Sequence, residues 1–245
     1  MISKATSKFI NSLQLKKYRQ EYRKFIVEGK KSIQELLKSD FSISELYLSN
    51  DAAEGVLTKG VKTHVVSKKE IERISTLKSN NFGVAVVEML PEDLKPLSSD
   101  QIYVALDNIQ DPGNLGTIIR ACDWYGIGTI ICSKDTVDCY NPKVVGATMG
   151  GIFRVNIKYV NLKEELGDID MPVYGAILGG VNLHEKKSLA PGVLLMGNES
   201  KGLSEELRSL CSTELQIPSY GQAESLNVAM ATTILLDNFK RLSLD

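Results

Sequence analysis

The segment that most constrains the fold is the run from Asp107 to Cys122, which joins a turn to the start of an amphipathic helix. Residues 102–106, just before it, are apolar and have the length of a short strand. Residues 111–114, Asp-Pro-Gly-Asn, have turn chemistry, because proline fixes φ, glycine accepts a positive φ and asparagine caps or turns the chain. Apolar residues then recur at helical spacing from Leu115 to Cys122. The run therefore predicts a strand, a turn and a helix.

Two later loops have a similar composition and also follow predicted strands. Residues 193–196 form a continuous apolar run, typical of a parallel strand buried on both faces, and lead into Gly-Asn-Glu-Ser-Lys-Gly at 197–202. A strand at 215–217 leads into a polar loop at 218–224, and a long helix is expected from Ser225. Open α/β sheets bind ligands at the carboxyl ends of their strands. We therefore expect the three loops to lie along one edge of a sheet.

Strands alternate with helices along the whole chain, which predicts an α/β protein. Residues 1–90 have the length and pattern of a small α/β domain. Residues 91–100 contain two prolines and two serines with little periodicity, which suits a linker. Residues 101–245 are then a second domain with a mostly parallel sheet.

The composition excludes several classes of protein. With 43% hydrophobic and 24% charged residues, the chain resembles ordinary soluble proteins, and it contains neither an apolar run of membrane-spanning length nor a signal-peptide pattern, so we expect a cytoplasmic location without membrane association. A Cys/His metal site is not expected, since there are two histidines and no CxxC pair. Reduced, mostly buried thiols are expected at the four cysteines, Cys122, Cys132, Cys139 and Cys211.

The net charge of −1 conceals an asymmetry between the two ends of the chain. Residues 1–40 contain ten basic and four acidic residues, a surplus of +6, whereas the other 205 residues contain 19 basic and 26 acidic residues, giving −7. The basic end can bind a polyanion or can simply be a solvated helix face, and the sequence leaves both readings open. The residues concerned are Lys16, Lys17, Arg19, Arg23, Lys24, Lys30 and Lys31.

The glycine-rich loops indicate a particular kind of ligand. Glycine lets a ligand approach the backbone closely, and backbone N–H and C=O groups can then read an adenine edge without charged side chains. The chain has no GxxxxGK[ST] motif to bind a nucleoside triphosphate and no GxGxxG motif at the start of a βαβ unit to bind a dinucleotide. A nucleoside-like cofactor fits the loops better.

Four polar residues of these loops also have ordinary structural interpretations. Arg120 lies about 140° from the centre of the apolar stripe of its helix, so it can reach either solvent or a site. Glu199 can merely accept backbone hydrogen bonds in its turn. Ser225 can be the N-cap of the last helix, with Asn227 in the first turn.

Taken together in their order and spacing, the three runs resemble the SpoU (TrmH-type) family of RNA 2′-O-ribose methyltransferases, part of the SPOUT superfamily. Residues 25–29 and 83–85 resemble, more weakly, the family's N-terminal substrate-binding domain, which is similar to ribosomal protein L30e. The positions that match the three motifs are Asn108, residues 112–114, Gly116 and Arg120; Gly197, Glu199 and Gly202; and residues 217–218, Gly221 and residues 225–228. The chain departs from the family pattern at Gly146, a position that is often basic in relatives.

The resemblance implies a trefoil-knotted α/β domain, S-adenosylmethionine as cofactor, a homodimer whose active site draws on both subunits, and RNA as partner. Its two-domain arrangement resembles relatives that act on large-subunit (23S) rRNA, which favours rRNA over tRNA. A noncatalytic, dimeric RNA-binding scaffold and a base methyltransferase are the alternatives.

The resemblance also implies the site residues. The expected catalytic residues are Arg120, Asn114, Glu199, Ser225 and Asn227, and the expected cofactor-binding residues are Leu178, Gly179, Gly197, Asn198, Ile217 and Leu226. A guanidinium is a poor base near neutral pH, so we expect Arg120 to clamp a phosphate and to place positive charge near the 2′-oxygen. Asn114 is expected to orient Arg120 or the ribose, and Glu199 to anchor the charge of Arg120. Ser225 and Asn227 are expected to hydrogen-bond the substrate or the cofactor loop.

Overall fold

The computed structural model describes residues 1–58, 60–91 and 96–243. The chain divides into two compact units, unit 1 with residues 1–91 and 138–154, and unit 2 with residues 92–137 and 155–245. Residues 92–95 of the expected linker lie outside the described residues. No helix in the described part of the chain is both long enough and apolar enough to span a membrane.

The helices and strands up to residue 106 mostly alternate along the chain, as the sequence indicates. They are α1 (Lys4–Ser12), α2 (Lys16–Tyr22), β1 (Lys24–Glu28), α3 (Lys30–Leu36), β2 (Ile43–Ser49), α4 (Asn50–Ala53), β3 (Thr63–Val66), α5 (Lys68–Ile74) and β4 (Gly83–Glu88), with β5 (Tyr103–Leu106) opening the next part. The remaining elements are α6 (Pro112–Trp124), β6 (Thr129–Ser133), α7 (Pro142–Ala147), β7 (Asn156–Val160), α8 (Leu162–Gly167), β8 (Val173–Asn182), β9 (Val193–Met196), α9 (Glu205–Arg208), β10 (Thr213–Gln216) and α10 (Val228–Leu242).

Unit 1 contains a four-stranded mixed sheet in the order β1-β4-β2-β3. β4 runs antiparallel to β1 and β2, and β2 runs parallel to β3. Both central strands bury apolar side chains, so helices can pack against this sheet. Ser67 and Glu70 form a capping box at the start of α5, which fixes where that helix begins.

The basic N-terminus, whose residues 1–24 the sequence predicts to be helical, forms two helices, α1 and α2. The helix breaks after Ser12, and the buried Arg19 side chain supplies hydrogen-bond partners at the break. Its Nη1 donates to the carbonyl oxygens of Leu13 at 2.9 Å and Gln14 at 2.8 Å. Carbonyls that lose their helical donors are thus satisfied by a side chain.

Arg19 is not part of a solvated face. Its side chain is 2% exposed, and its Nε and Nη2 donate to Oδ2 of Asp138 at 2.9 and 2.5 Å. The solvated-face interpretation is therefore wrong for this residue, because its side chain is buried and paired. Its partner lies 119 positions away in the chain. Buried charges need such partners, since an unpaired charge loses its hydration without compensation.

The segment of residues 138–154 belongs to unit 1, although it follows β6 in the chain. The ring of Tyr140 lies 4.5 Å from that of Phe25, and the ring of Phe153 lies 5.3 Å from that of Phe41, between centroids. α7 packs against β1. Aromatic pairs at these distances stabilise a core beyond the area they bury. The segment therefore completes the apolar core of unit 1.

One carboxylate of unit 1 gathers several cations. Glu35 accepts from Lys38 at 3.2 Å, from Lys31 at 3.3 Å and from Arg154 at 2.8 Å. Hydrogen bonds from these cations, that from Lys38 foremost, lower the pKa of Glu35 to about 2. Gly150 has a φ of 98°, and a Cβ there would lie 2.6 Å from Cγ of Glu35, so this close approach requires glycine.

Unit 2 contains a six-stranded sheet in the order β10-β8-β9-β5-β6-β7, and every neighbouring pair is parallel. β5 and β9 are buried along their whole length, as expected for strands covered on both faces. The predicted α/β class, with a mostly parallel C-terminal sheet, is confirmed. The trefoil knot stays a prediction from the resemblance.

Two expected boundaries in unit 2 are wrong. The apolar run at 173–178 predicts a strand that ends at Gly179, but β8 runs on to Asn182, because β10 pairs with it in two places, Glu214 with Gly175 and Leu215 with Val181. Residues 176–180 of β8 lie between these two pairs and have no partner residue in β10. Gly179, in this part of β8, has a φ of 87°. The last helix begins at Val228 rather than at residue 225.

The expectation for the cysteines is confirmed. All four thiols are free; Cys122, Cys132 and Cys139 are buried and Cys211 is half-buried. Burial raises the pKa of Cys122 and raises that of Cys211 to about 11, which keeps both thiols protonated near neutral pH.

Candidate active site

The first loop is held at the carboxyl end of β5 by its own side chains. Asp111 is the N-cap of α6, and its Oδ1 accepts a hydrogen bond from the backbone N–H of Asn114 at 2.8 Å. Pro112 occupies the first turn, where its missing N–H costs nothing. Asn108 adopts a left-handed φ of 55°, and its N–H donates to Oγ of Ser133 at 2.8 Å. The turn is thus fixed before α6 begins.

The second loop is closed by Asn198. Its backbone pairs with Gly202 in an isolated bridge, and its Oδ1 accepts from the N–H groups of Ser200 and Lys201 at 3.0 and 3.1 Å. Its Nδ2 donates to the carbonyl oxygen of Asn108 at 2.8 Å. The Asn198 side chain, expected to bind the cofactor, therefore shapes its own loop and ties it to the first one.

Gly197 allows that closure. A Cβ at this position would lie 2.3 Å from the backbone carbon of Gly202 and 2.4 Å from the nitrogen of Leu203. Contacts this short against backbone leave room for hydrogen alone. The loop that follows β9 therefore depends on a glycine at its first position.

A chain of side-chain hydrogen bonds joins all three loops. Nδ2 of Asn114 donates to Oε1 of Glu199 at 2.9 Å, and Oδ1 of Asn114 accepts from Nδ2 of Asn227 at 2.9 Å. The structure thus brings together three of the five expected catalytic residues, one from each loop. Glu199 and Asn227 lie at an exposed edge of the sheet, with Asn114 between them.

The other two expected catalytic residues lie outside this chain of hydrogen bonds. Arg120 is exposed on α6 and makes neither a hydrogen bond nor an ion pair with any residue in the described ranges. The expected ion pair between Arg120 and Glu199 is therefore not formed among the described residues. Glu199 instead accepts a hydrogen bond from Asn114. The guanidinium is left available for a group that the protein itself does not supply.

Ser225 is exposed and is not the N-cap of α10. That position belongs to Asn227, whose Oδ1 accepts from the N–H groups of Ala229 at 3.0 Å and Met230 at 3.4 Å. Asn227 therefore has two functions, capping α10 through its oxygen and bonding Asn114 through its nitrogen.

Four of the expected cofactor-binding residues lie within β8, Leu178 and Gly179, or after β10, Ile217 and Leu226. The N–H of Gly179 donates to Oε1 of Gln216 at 3.1 Å, which connects the irregular part of β8 to the end of β10. Leu178 is 70% exposed and Leu226 is 44% exposed, while Ile217 is half-buried. Exposed leucines beside glycine backbone fit the flat apolar face and polar edge of a nucleoside.

Asp107, which directly follows β5, was not among the expected site residues. Its Oδ2 accepts from the N–H of Ser204, the N-cap of α9, at 3.4 Å, and burial raises the pKa of this carboxyl group. Its position at the start of the first loop, directly after β5, is the sequence signal that could have identified Asp107 as a candidate site residue.

One cavity of unit 2 lies away from these loops. It has a volume of about 540 Å³, and none of the expected site residues lines it; its walls are residues 96–97, Ser99, residues 164–165 and residues 168–171. Over the described ranges, no group of three His, Cys, Asp or Glu side chains is arranged to hold a metal ion.

Comparison with known proteins bears on both parts of the chain. Residues 101–237 match the model of the SpoU rRNA Methylase family, and residues 4–85 match that of the MRM3-like substrate binding domain. A curated relative, 23S rRNA (guanosine(2553)-2'-O)-methyltransferase RlmP of Bacillus subtilis, is 31% identical over 229 residues, which are 91% of each chain.

Two solved structures with a bound cofactor are similar over nearly the whole chain. The AdoMet-bound rRNA methyltransferase of Sinorhizobium meliloti has a TM-score of 0.88 and 32% identity, covering 100% of this chain and 98% of that one. The SpoU methyltransferase AviRb of Streptomyces viridochromogenes, in complex with AdoMet, has a TM-score of 0.85 and 25% identity, covering 98% of each chain. The resemblance seen in the three motifs is thereby confirmed, and the chain belongs to the SpoU rRNA Methylase family.

Proposed function

We propose that this protein is an S-adenosylmethionine-dependent methyltransferase that modifies a ribose 2′-hydroxyl of 23S rRNA. The observation that carries the proposal is the hydrogen-bonded chain from Glu199 through Asn114 to Asn227, together with the exposed guanidinium of Arg120, which has no partner among the described residues. The relative RlmP is named for 2′-O-methylation of 23S rRNA, and two similar structures contain AdoMet. An rRNA substrate implies a cytoplasmic location.

Arg120 stabilises negative charge in this proposal. A ribose hydroxyl is a weak nucleophile, so its oxygen must be positioned and its developing charge must be stabilised. A guanidinium offers a fixed fork of donors that suits a phosphate, and it remains charged throughout the pH range of the reaction. Arg120 binds the phosphate next to the target ribose, and a neighbouring group or water accepts the proton.

The three-residue chain holds the ribose in place. Asn114 uses both ends of its amide inside the protein, so its orientation is fixed by Glu199 on one side and Asn227 on the other. In this proposal the substrate is contacted by Oε2 of Glu199, which accepts a long hydrogen bond of 3.4 Å from Nδ2 of Asn198, and by the exposed hydroxyl of Ser225. Preorganised groups of this kind lower a barrier because they need no reorganisation during the reaction.

The ends of β8, β9 and β10 hold the cofactor in this proposal. The backbone of Gly179, Gly197 and Ile217 bonds the nucleoside, while Leu178 and Leu226 cover its apolar face. S-adenosylmethionine supplies an electrophilic methyl group there.

We further propose a homodimer formed through α6 and α10, with an active site that draws on both subunits. These helices pack against each other, and each carries a large exposed apolar side chain, Trp124 at 83% and Met230 at 57% exposed. Apolar side chains of this size on adjacent helices are typical of protein interfaces. We also propose that residues 1–90 form the L30e-like substrate-binding domain, followed by a linker at 91–100.

Methyl transfer to defined RNAs tests the proposal. The protein is incubated with methyl-labelled S-adenosylmethionine and, in separate reactions, with unmodified 23S rRNA and with bulk tRNA, and 2′-O-methylated nucleotides are mapped. We expect a modified ribose in 23S rRNA alone. Transfer to tRNA alone would replace the substrate, and a methylated base would replace the reaction. Calorimetric titration without detectable cofactor binding would favour the noncatalytic scaffold.

A further inference from the structure

Helix α2 carries an aromatic surface that the fold does not cover. The rings of Tyr18 and Tyr22, one helical turn apart, are nearly parallel, with 6.2 Å between centroids and 11° between planes. Phe9 of α1 packs edge-on against Tyr22 at 5.2 Å and supports it from the core side. Tyr22 is 42% exposed, and Leu15 on the same face is exposed as well. Aromatic rings that are held in place by neighbours and partly exposed can stack with a flat ligand.

The same surface is positively charged. Residues 1–24 contain seven basic residues and one acidic residue, Glu21. Nζ of Lys17 lies 5.6 Å from the centroid of the Tyr18 ring, which places a cation beside the aromatic face. Lys16 and Lys17 are exposed and, like Glu21, form no ion pair with the residues that the structure describes.

Four other lysines of unit 1 pair with carboxylates of the protein. Lys31 and Lys38 pair with Glu35, Lys62 pairs with Glu45 at 2.7 Å, and Lys68 pairs with Asp51 at 2.8 Å. The charges of Lys16 and Lys17, by contrast, lie on the helix that carries the half-buried Tyr18 and the exposed Tyr22. This coincidence distinguishes the α2 surface from the rest of the basic N-terminus.

We propose that the α2 surface, formed by Lys16, Lys17, Tyr18 and Tyr22, binds a single-stranded segment of RNA. Unpaired bases stack on Tyr18 and Tyr22, and phosphates bind Lys16 and Lys17. Base-paired RNA keeps its bases stacked on one another, so aromatic platforms select unpaired nucleotides. The proposal rests on the proposed function only for the choice of RNA as the polyanion, and it places an additional contact to the substrate outside unit 2.

The test measures RNA affinity in the full-length protein. The probe is a fluorescein-labelled, mixed-sequence 12-nucleotide single-stranded RNA, with the same RNA annealed to its complement for comparison. Tyr18→Ala/Tyr22→Ala is expected to weaken single-strand binding at least about tenfold, because each stacked base contributes substantially to affinity. Tyr18→Phe/Tyr22→Phe keeps the rings and is expected to bind within about twofold of wild type.

Lys16→Ala/Lys17→Ala tests the phosphate contacts while keeping both tyrosine rings, although it removes the Lys17 cation beside the Tyr18 ring. The slope of log affinity against log salt is expected to fall by about 1.4, since two phosphate contacts to a single strand are lost. The matched control is Lys62→Ala/Lys68→Ala, which removes the same charge from lysines that already have carboxylate partners. The control is expected to leave the slope nearly unchanged.

Unchanged RNA affinity in both Tyr18→Ala/Tyr22→Ala and Lys16→Ala/Lys17→Ala, with unchanged melting temperatures, would overturn the proposal. Weaker binding to phosphatidylglycerol vesicles with unchanged RNA binding would overturn it too, in favour of a membrane surface. Affinity for S-adenosylmethionine is measured in parallel and is expected to be the same in all variants. A wild-type protein that binds the RNA but not the cofactor would contradict the proposed function and leave the test of the α2 surface intact.

Discussion

The two arginines Arg19 and Arg120 occupy opposite environments, one in each unit. Arg19 is buried in unit 1, where Asp138 and two backbone carbonyls satisfy its guanidinium. Arg120 is exposed on α6 of unit 2 and has no partner among the described residues. Both belong to helices, and both stand in segments that the sequence marks as basic or polar. The protein therefore satisfies one guanidinium internally and leaves the other exposed, where we propose that it binds a phosphate.

The difference shows how a charged residue can be assigned from its surroundings. A guanidinium that the protein satisfies internally contributes to stability and is unavailable for binding. A guanidinium held on a rigid helix without a partner contributes little to stability and can bind an anion. Substitutions at the two sites should therefore affect different measurements, stability for the first and activity for the second.

The largest effect is expected from breaking the buried pair. Asp138→Asn keeps the size of the side chain but leaves the charge of Arg19 buried without its counterion. We expect the free energy of unfolding to fall by about 3–5 kcal/mol, measured by urea denaturation. Adding Arg19→Met removes the stranded charge and should recover part of this loss. A loss below about 1 kcal/mol in the single variant would show that the pair is not effectively buried.

Arg120→Ala should give the converse result. We expect methyl transfer to fall about 10²–10³-fold, the range found when a charge-stabilising donor is removed from an active site. Stability should change by no more than about 0.5 kcal/mol, because the side chain is exposed and unpartnered. Cofactor affinity, measured by calorimetry, should be unchanged. Wild-type activity in this variant would remove Arg120 from the active site.

Asn227 caps α10 through its side-chain oxygen and donates to Asn114 through its side-chain nitrogen. Two substitutions separate these contributions. Asn227→Ser retains a capping side chain but loses the donor to Asn114, so activity should fall about two- to tenfold with stability close to that of wild type. Asn227→Ala loses both functions and should also cost about 1 kcal/mol of stability. Equal stability of the two variants would argue against the cap. Equal activity of Asn227→Ser and wild type would argue against the hydrogen-bonded chain.

The smallest effect concerns Glu35, whose pKa is lowered to about 2 by Lys38, Lys31 and Arg154. A carboxyl group with a lowered folded-state pKa stabilises the protein above its unfolded pKa, near 4.5, and loses that contribution as the pH falls toward 2. Glu35→Gln should therefore lose about 1 kcal/mol or less near neutral pH and show a weaker decline in unfolding free energy between these pH values. A parallel decline in both proteins would contradict this account.

Much of the fold follows from local patterns. The apolar run at 193–196 gives β9 with its exact bounds, whereas α6 begins at Pro112, inside the stretch 111–114 that the sequence predicts as a turn. The extension of β8 beyond Gly179 could not be foreseen, because it depends on pairing with β10, a tertiary contact. The burial of Arg19 depends on Asp138, which no local pattern connects to α2.

The site was predictable as a set of residues rather than as a network. The motifs named Asn114, Glu199 and Asn227, but their mutual hydrogen bonds depend on how the sheet brings three strand ends together. Serine and asparagine both cap helices well, so the sequence did not distinguish Ser225 from Asn227 as the N-cap. The role of Asn198 inside its loop likewise requires coordinates, since asparagine suits both a turn and a ligand contact.

The inclusion of residues 138–154 in unit 1 has a consequence for synthesis on the ribosome. The N-terminal ninety-one residues emerge first, but the partner of Arg19 and two aromatic side chains of the same core are encoded within a later segment. At rates of about 5–20 residues per second, the 63 residues from 92 to 154 take roughly 3–13 s to synthesise. During that interval the nascent chain carries an incomplete core and an uncompensated guanidinium, so chaperone binding is expected to be concentrated there.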